Sequence, residues 1–205
     1  MKVDSKRVIV WPAVMLLLVV TSFVMVAAQS GNSNTFSPYV DNLGQISVPP
    51  NYRTEMTFIG TWSIAEEDVE TSAAASGHGA ASLHNVYTQP GTIEAYRKTG
   101  KFPDGAVLVK ELLKTKTERL TTGRASWGYD LEGWFVMIKD TAGRFPDNPL
   151  WGEGWGWALF NMDDPPKLTT TNFRTDCLGC HIPAKATDYV FINGYPTLKY
   201  QKIGG

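Results

Sequence analysis

Thr175-Asp-Cys-Leu-Gly-Cys-His-Ile-Pro183 is the stretch around which the rest of the sequence must be arranged. It contains both cysteines of the chain, Cys177 and Cys180, with His181 directly after the second. Cys-x-x-Cys-His is the attachment pattern of a c-type haem. Two thiols two residues apart can each bond one vinyl group on the same haem edge, and the adjacent imidazole then serves as the proximal ligand of the iron. A redox Cys-x-x-Cys pair has no need of the trailing histidine. A zinc site needs a second pair of ligands, and the chain has no third cysteine to help supply one.

Length and composition agree with a domain folded around a large cofactor. The 205 residues suit one domain with appendages, and 43% hydrophobic content suffices for a core. Seven Trp, eight Tyr and nine Phe are material for walls around a flat apolar group, and equally for an ordinary core. The formal net charge of −1 carries no nucleic-acid footprint.

The first 28 residues have the form of an export signal. Lys2, Lys6 and Arg7 precede an apolar run from Val8 to Val26, and Val26-Ala27-Ala28 is a small-residue cleavage site. The run is long enough for an uncleaved membrane anchor to be the competing reading. Both readings place the folded part outside the cytoplasm, in the periplasm, where c-type haem is attached. Losing residues 1–28 removes three of 19 basic and one of 20 acidic residues, leaving a net charge of −3.

Residues 29–48 are rich in Ser, Asn and Gly and read as a flexible linker, or an arm over the domain. The haem domain is expected over residues 49–200, with a polar tail at 201–205. Asn51–Glu55 reads as a short helix or turn and Met56–Ile64 as a strand. Ala65–Ser82 reads as a surface loop carrying a solvated His78, and Leu83–Thr88 as the next strand. On that strand His84, Val86 and Thr88 share a face, so His84 points either into a pocket or to water. Pro90 opens a helix that Gly100 closes. Ala106–Leu113 is a strand with Lys110 inside it, a lysine that on its own would be read as snorkelling to solvent. Lys114–Ser126 reads as a loop. Trp127–Asp140 contains a strand, chiefly Trp134–Lys139, with Phe135, Met137 and Lys139 on one face, and Trp155–Phe160 is the last of the series. The fold class is therefore α+β, a mainly antiparallel sheet with a few packed helices and a single mono-haem c-type site.

The haem motif lies near the C-terminus, and no Met, His or Cys follows His181. Any sixth ligand must come from upstream: His78, His84, Met56, Met137, Met162 or Lys110. The alternative is an open site that binds small molecules. A late motif is shared by the four-helix cytochromes c-prime, but these strands do not make a bundle.

Tyr96-Arg-Lys-Thr-Gly-Lys-Phe-Pro-Asp-Gly-Ala-Val-Leu-Val-Lys-Glu-Leu112 resembles the signature of the cytochrome P-460 family. Val136-Met-Ile-Lys-Asp140, Trp155-Gly-Trp-Ala-Leu-Phe160 and Thr187-Asp-Tyr-Val-Phe-Ile-Asn-Gly-Tyr-Pro196 match in order, so the likeness covers about Pro49 to Tyr200. The resemblance implies a β-rich homodimer with one haem c, its iron held by His181. It further implies oxidation of hydroxylamine, with nitric oxide also a substrate or ligand, and electron transfer to a periplasmic cytochrome. The family's cross-linking lysine, bonded to the haem macrocycle, corresponds to Lys110. Two positions depart from the family pattern. His84 stands where the family has an arginine, and Phe135 where it has a distal carboxylate. Proton removal from the substrate would then fall to His84, Glu132 or Asp130. A distal aromatic instead resembles the related cytochromes c-prime-beta, which bind nitric oxide or carbon monoxide.

Overall fold

The computed structural model describes residues 36–66 and 79–199. The export-like segment, His78 and the tail at 201–205 lie outside the described residues. The described chain is built on one antiparallel sheet, as its alternating strands require. Short helix α1 (Tyr52–Glu55) leads into β1 (Thr57–Ala65), β2 (Ala80–Thr88), helix α2 (Pro90–Thr99), β3 (Val107–Leu120), β4 (Gly123–Lys139), β5 (Trp151–Gly152), β6 (Trp155–Asn161) and β7 (Lys167–Leu168). The strand order is β1-β2-β3-β4-β6-β5, with β7 also on β6. Every pairing is antiparallel.

The helix α2 forms as its punctuation dictates. Pro90 occupies the first turn, where its missing N–H costs nothing, and Gly100 adopts the left-handed cap at φ 68°. The Gly100 N–H donates to the Tyr96 carbonyl at 2.8 Å.

The expected loop at Lys114–Ser126 is instead a ribbon. β3 and β4 pair down to Leu120↔Gly123, with register shifts at Leu112/Leu113 and Lys114/Thr115, and Thr121-Thr122 closes the hairpin. Hydrophobic alternation is missing there because both ribbon faces see solvent along most of its length. What holds the strands extended is β-branched Thr and cross-strand polar pairing, such as Thr117 Oγ1 to Ser126 Oγ at 2.7 Å. The expected loop at Ala65–Ser82 likewise gives up its ends to β1 and β2.

The two sheet faces are covered differently. On one, Val107, Val109, Val136 and Ile138 are fully buried, each contributing about 1.5–3 kcal/mol. They pack under α1, Trp151 and the N-terminal arm. Of the two readings of residues 29–48, linker or arm over the domain, the described part from Phe36 onward is the arm. Ile46 is buried, the Phe36 ring lies 5.9 Å from that of Trp151, and Trp151 Nε1 donates to the Gly44 carbonyl at 2.7 Å. Its polar composition hid several apolar anchors, Phe36, Ile46 and Val48 among them, and backbone acceptors at Leu43 and Gly44.

On the other face, α2 and the C-terminal segment close over Trp155, Trp157, Leu108 and Met137. The segment is a run of short turns: a π-helical turn (Arg174–Leu178), α3 (Gly179–His181) and 3-10 turns at Ile182–Thr187, Ile192–Gly194 and Pro196–Leu198. It approaches β1 so closely that a Cβ on Gly60 would lie 2.2 Å from the Gly194 carbonyl oxygen. Glycine at that contact is what lets the segment lie down over the sheet.

Candidate functional site

Between this C-terminal segment and the sheet lies a cavity of about 510 Å³, within the range of cofactor sites. Its floor follows from the period-two alternation of the strands. Val86 on β2 pairs with Lys110 on β3, which pairs with Phe135 on β4. One step along, Trp62 on β1 pairs with His84, and on the other side Leu108 pairs with Met137, which pairs with Trp157 on β6. All of these side chains line the cavity. Its opposite wall carries Cys177, Cys180 and His181, with Val190, Phe191 and Tyr195.

The haem-motif residues line the cavity together. Cys177 is buried, Cys180 is exposed, and both are free thiols. Burial raises the Cys177 thiol, and a hydrogen bond from Thr170 opposes that effect. Asp176 fixes the start of the turn by accepting from the Thr171 N–H at 2.8 Å, the Asn172 N–H at 3.1 Å and the Thr175 hydroxyl at 2.7 Å. The His181 Nδ1 lies 2.7 Å from the Tyr189 carbonyl oxygen. A carbonyl can only accept, so Nδ1 carries the proton and Nε2 keeps its lone pair for a metal. The Trp157 ring meets the His181 ring edge-on at 4.9 Å and holds its plane. Two free thiols at attachment spacing, an imidazole with its far nitrogen already satisfied, and an apolar cavity between sheet and motif are the donor set that a haem needs. These residues fit that group.

Lys110 is half-buried on the cavity floor, and its ammonium sits 4.3 Å from the centre of the Phe135 ring. Among the described residues it has no carboxylate partner. Burial holds its pKa below the usual lysine range. It does not snorkel to solvent as an isolated reading of β3 suggested. His84 also points inward, and Ser82 Oγ lies 3.2 Å from its Nε2. Burial, and after it the Lys110 charge, lowers the His84 pKa to about 4, so the ring is neutral at physiological pH. Phe135 lines the cavity floor beside Lys110.

Two candidate bases are not brought here. Glu132 is exposed and falls at a bulge, where Leu112 pairs with Gly133 and Leu113 with Leu131. Three residues from Phe135, it falls by period-two alternation on the opposite face of β4 with Trp134, away from the cavity. Asp130 faces Lys114 across the ribbon at 3.5 Å. The candidate sixth ligands thin out too. Met56 packs in the core on the other sheet face, and Met162 is exposed. His84, Met137 and Lys110 remain on the cavity.

Sequence reading missed Trp62, Trp157 and Tyr195 as cavity walls. The alternation of Trp155 and Trp157 could have placed the second. Nothing local marks Tyr195, which arrives from a 3-10 turn. Also missed is a buried ion pair beside the segment, between Lys139 Nζ and Asp188 Oδ1 at 2.7 Å.

No curated protein sequence matches the chain. The Cytochrome P460 family model matches residues 49–192, from just before α1 to the last turns after His181. The matched span includes every strand, the haem motif and Lys110, and the chain belongs to the cytochrome P460 family of haem proteins.

Proposed function

We propose that this protein is a mono-haem c oxidoreductase that oxidises hydroxylamine, with nitric oxide as a further substrate, at the cavity between sheet and haem motif. The observation that carries the reading is Lys110. It is a cation without a carboxylate partner among the described residues, on the floor of the same cavity whose far wall is Cys177, Cys180 and His181. An ammonium in such a place is costly unless something uses it. Cys177 and Cys180 would hold the haem covalently, His181 would ligate its iron through Nε2, and Lys110 would bond to the macrocycle. When bound, the haem supplies an iron centre that takes electrons from the substrate nitrogen. His84 is deprotonated across the neutral range and so can accept a proton as the substrate is oxidised. Phe135 and Met137 keep the floor apolar and hold water back. Location would be the periplasm, a periplasmic cytochrome would take the electrons, and the working unit would be a homodimer. These three follow from the export-like N-terminus and from the family resemblance.

One observation favours a second reading. Phe135 covers Lys110, and the carboxylate on the cavity lining, Asp176, is already engaged by Thr171, Asn172 and Thr175. An aromatic cap without a free carboxylate suits a five-coordinate cytochrome that binds nitric oxide or carbon monoxide and does not turn over hydroxylamine. The absorption spectrum of the reduced holoprotein, with hydroxylamine-dependent reduction of an electron acceptor, separates the two. A strongly red-shifted Soret band with turnover supports the first. An ordinary high-spin haem c spectrum with tight nitric oxide binding and no turnover supports the second. A low-spin six-coordinate spectrum would sink both.

A further inference from the structure

The proposed chemistry makes no use of the buried pair Lys139–Asp188. Its side chains are 9% and 7% exposed, with Nζ to Oδ1 at 2.7 Å. The other carboxylate oxygen of Asp188 accepts the Phe102 N–H at 3.0 Å, and the Asp188 carbonyl accepts the Trp155 indole N–H at 3.1 Å. The Lys139 ammonium also lies 4.8 Å from the centre of the Trp155 ring. Asp188 is thus held from three elements: β4, β6 and the turn after α2.

What it is held in is unusual. Asp188 and Tyr189 are consecutive non-glycine residues with φ of 61° and 66°. Left-handed backbone at such residues is strained and persists only where the surroundings impose it. The Tyr189 N–H donates to the Ala184 carbonyl at 2.9 Å, which ties the turn back to the haem segment. The outcome of this double left-handed turn is that the Tyr189 carbonyl stands 2.7 Å from His181 Nδ1. As a contribution to stability, a buried ion pair gains little, because desolvation offsets most of the attraction.

We propose that Lys139 and Asp188 are positioning residues for the proximal histidine. The pair clamps the left-handed turn, the turn aims the Tyr189 carbonyl, and the carbonyl fixes the tautomer and plane of His181. This rests on His181 being the iron ligand. An acceptor on Nδ1–H strengthens donation from Nε2 and so favours the oxidised metal. A misaimed carbonyl weakens that donation.

The test uses the holoprotein with Asp188→Asn and, separately, Lys139→Met. Two quantities are read: the iron–histidine stretching frequency of the ferrous state by resonance Raman, and the midpoint potential. Both variants should lower the frequency. Both should shift the one-electron equilibrium toward the ferrous state by up to about tenfold, roughly 59 mV upward. Glu111→Gln is the comparator, because it cuts an equally buried polar network on the other sheet face and should lower the melting temperature with both readouts unchanged. Either variant with wild-type frequency and potential overturns the proposal, and Lys139→Met serves alone if Asp188→Asn does not accumulate. Equal shifts in Glu111→Gln would also overturn it, since general loosening would then explain everything. A five-coordinate ferrous wild-type protein with no iron–histidine band would overturn the reading of His181 itself, and the positioning role with it.

Discussion

Lys110 and Glu111 are neighbours on β3, and the fold treats their charges in opposite ways. Glu111 faces the packed side of the sheet, where it is 2% exposed. One of its carboxylate oxygens accepts from Tyr52 at 2.6 Å and Arg53 at 2.7 Å, the other from Asn85 at 2.8 Å and Tyr87 at 3.2 Å. Trp134 Nε1 donates to the Tyr52 hydroxyl at 3.1 Å and closes the network. These donors hold the carboxyl below its ordinary pKa although burial pushes it up. Lys110 faces the cavity, has an aromatic ring for company, and burial lowers its pKa against a smaller opposing effect from the Cys180 and Cys177 thiols. A buried charge whose every lone pair is matched is part of the framework. One left with only an aromatic ring beside it, on a cavity with thiols and imidazoles, is available for chemistry.

That contrast can be broken from either side. The largest effect belongs to the cavity wall. Cys177→Ala with Cys180→Ala should abolish covalent haem altogether, seen as loss of haem stain on the denatured chain. Retained stain would mean that attachment runs through Lys110 alone. On the cavity floor, His84→Phe should reduce hydroxylamine turnover by about 10²–10⁴-fold, the usual worth of a positioned proton acceptor. Nitric oxide affinity should change far less. Equal turnover in the variant would hand the site to the gas-binding reading.

On the packed side the effect is smaller and different in kind. Glu111→Gln keeps the shape but loses the charge that Tyr52, Arg53 and Asn85 share. It should cost about 1–3 kcal/mol, or roughly 2–4 °C in melting temperature per kcal/mol. Arg53 is half out in solvent, at 53% exposure, so Arg53→Ala should cost less than about 1 kcal/mol. A red shift or loss of the Soret feature in Glu111→Gln would erase the distinction between the two faces.

How much of this could be read beforehand follows the same division. The motif, the helix from Pro90 to Gly100 and the central strands are local patterns, and local patterns survive in one dimension. His84 and Phe135 fell on the cavity side because alternation from Lys110 and the strand pairings is rigid between β2, β3 and β4. Glu132 did not, because the same alternation puts it on the opposite face of β4 from Phe135; Gly133 beside it, where a Cβ would lie 2.3 Å from the Phe160 carbonyl oxygen, was the legible mark of the bulge. The β3–β4 ribbon was missed because its two faces are both wet, which removes the hydrophobic period on which strand reading depends. The Lys139–Asp188 pair joins residues 49 apart in sequence, and a lysine in a strand and an aspartate in a turn announce nothing until the chain is closed.

The smallest effect sharpens the comparison most. His84 titrates at about 4 in the folded protein, against about 6.5 for a free histidine. Above pH 6.5 the ring is neutral folded and unfolded, and it makes no contribution to the pH dependence. Between about 6.5 and 4 the unfolded chain takes up a proton that the folded one refuses, so stability falls as pH falls through that window. Below about 4 both are protonated and the loss stops growing. His84→Phe should therefore flatten the melting temperature between pH 6.5 and 4 while leaving it unchanged in shape at pH 7–8. Burial is the larger cause and the Lys110 charge the second, so Lys110→Met should raise the His84 pKa and narrow the window from its lower edge. Glu111→Gln should leave that window unchanged, because the wild-type carboxylate lies behind the sheet and the stability it contributes is lost only as pH falls through and below its unfolded range near 4.3. Melting curves of the four proteins at half-unit pH steps decide it. Parallel wild-type and His84→Phe profiles would mean that His84 is solvated, and that the cavity floor lacks the dry, singly charged character that sets it apart from the packed face.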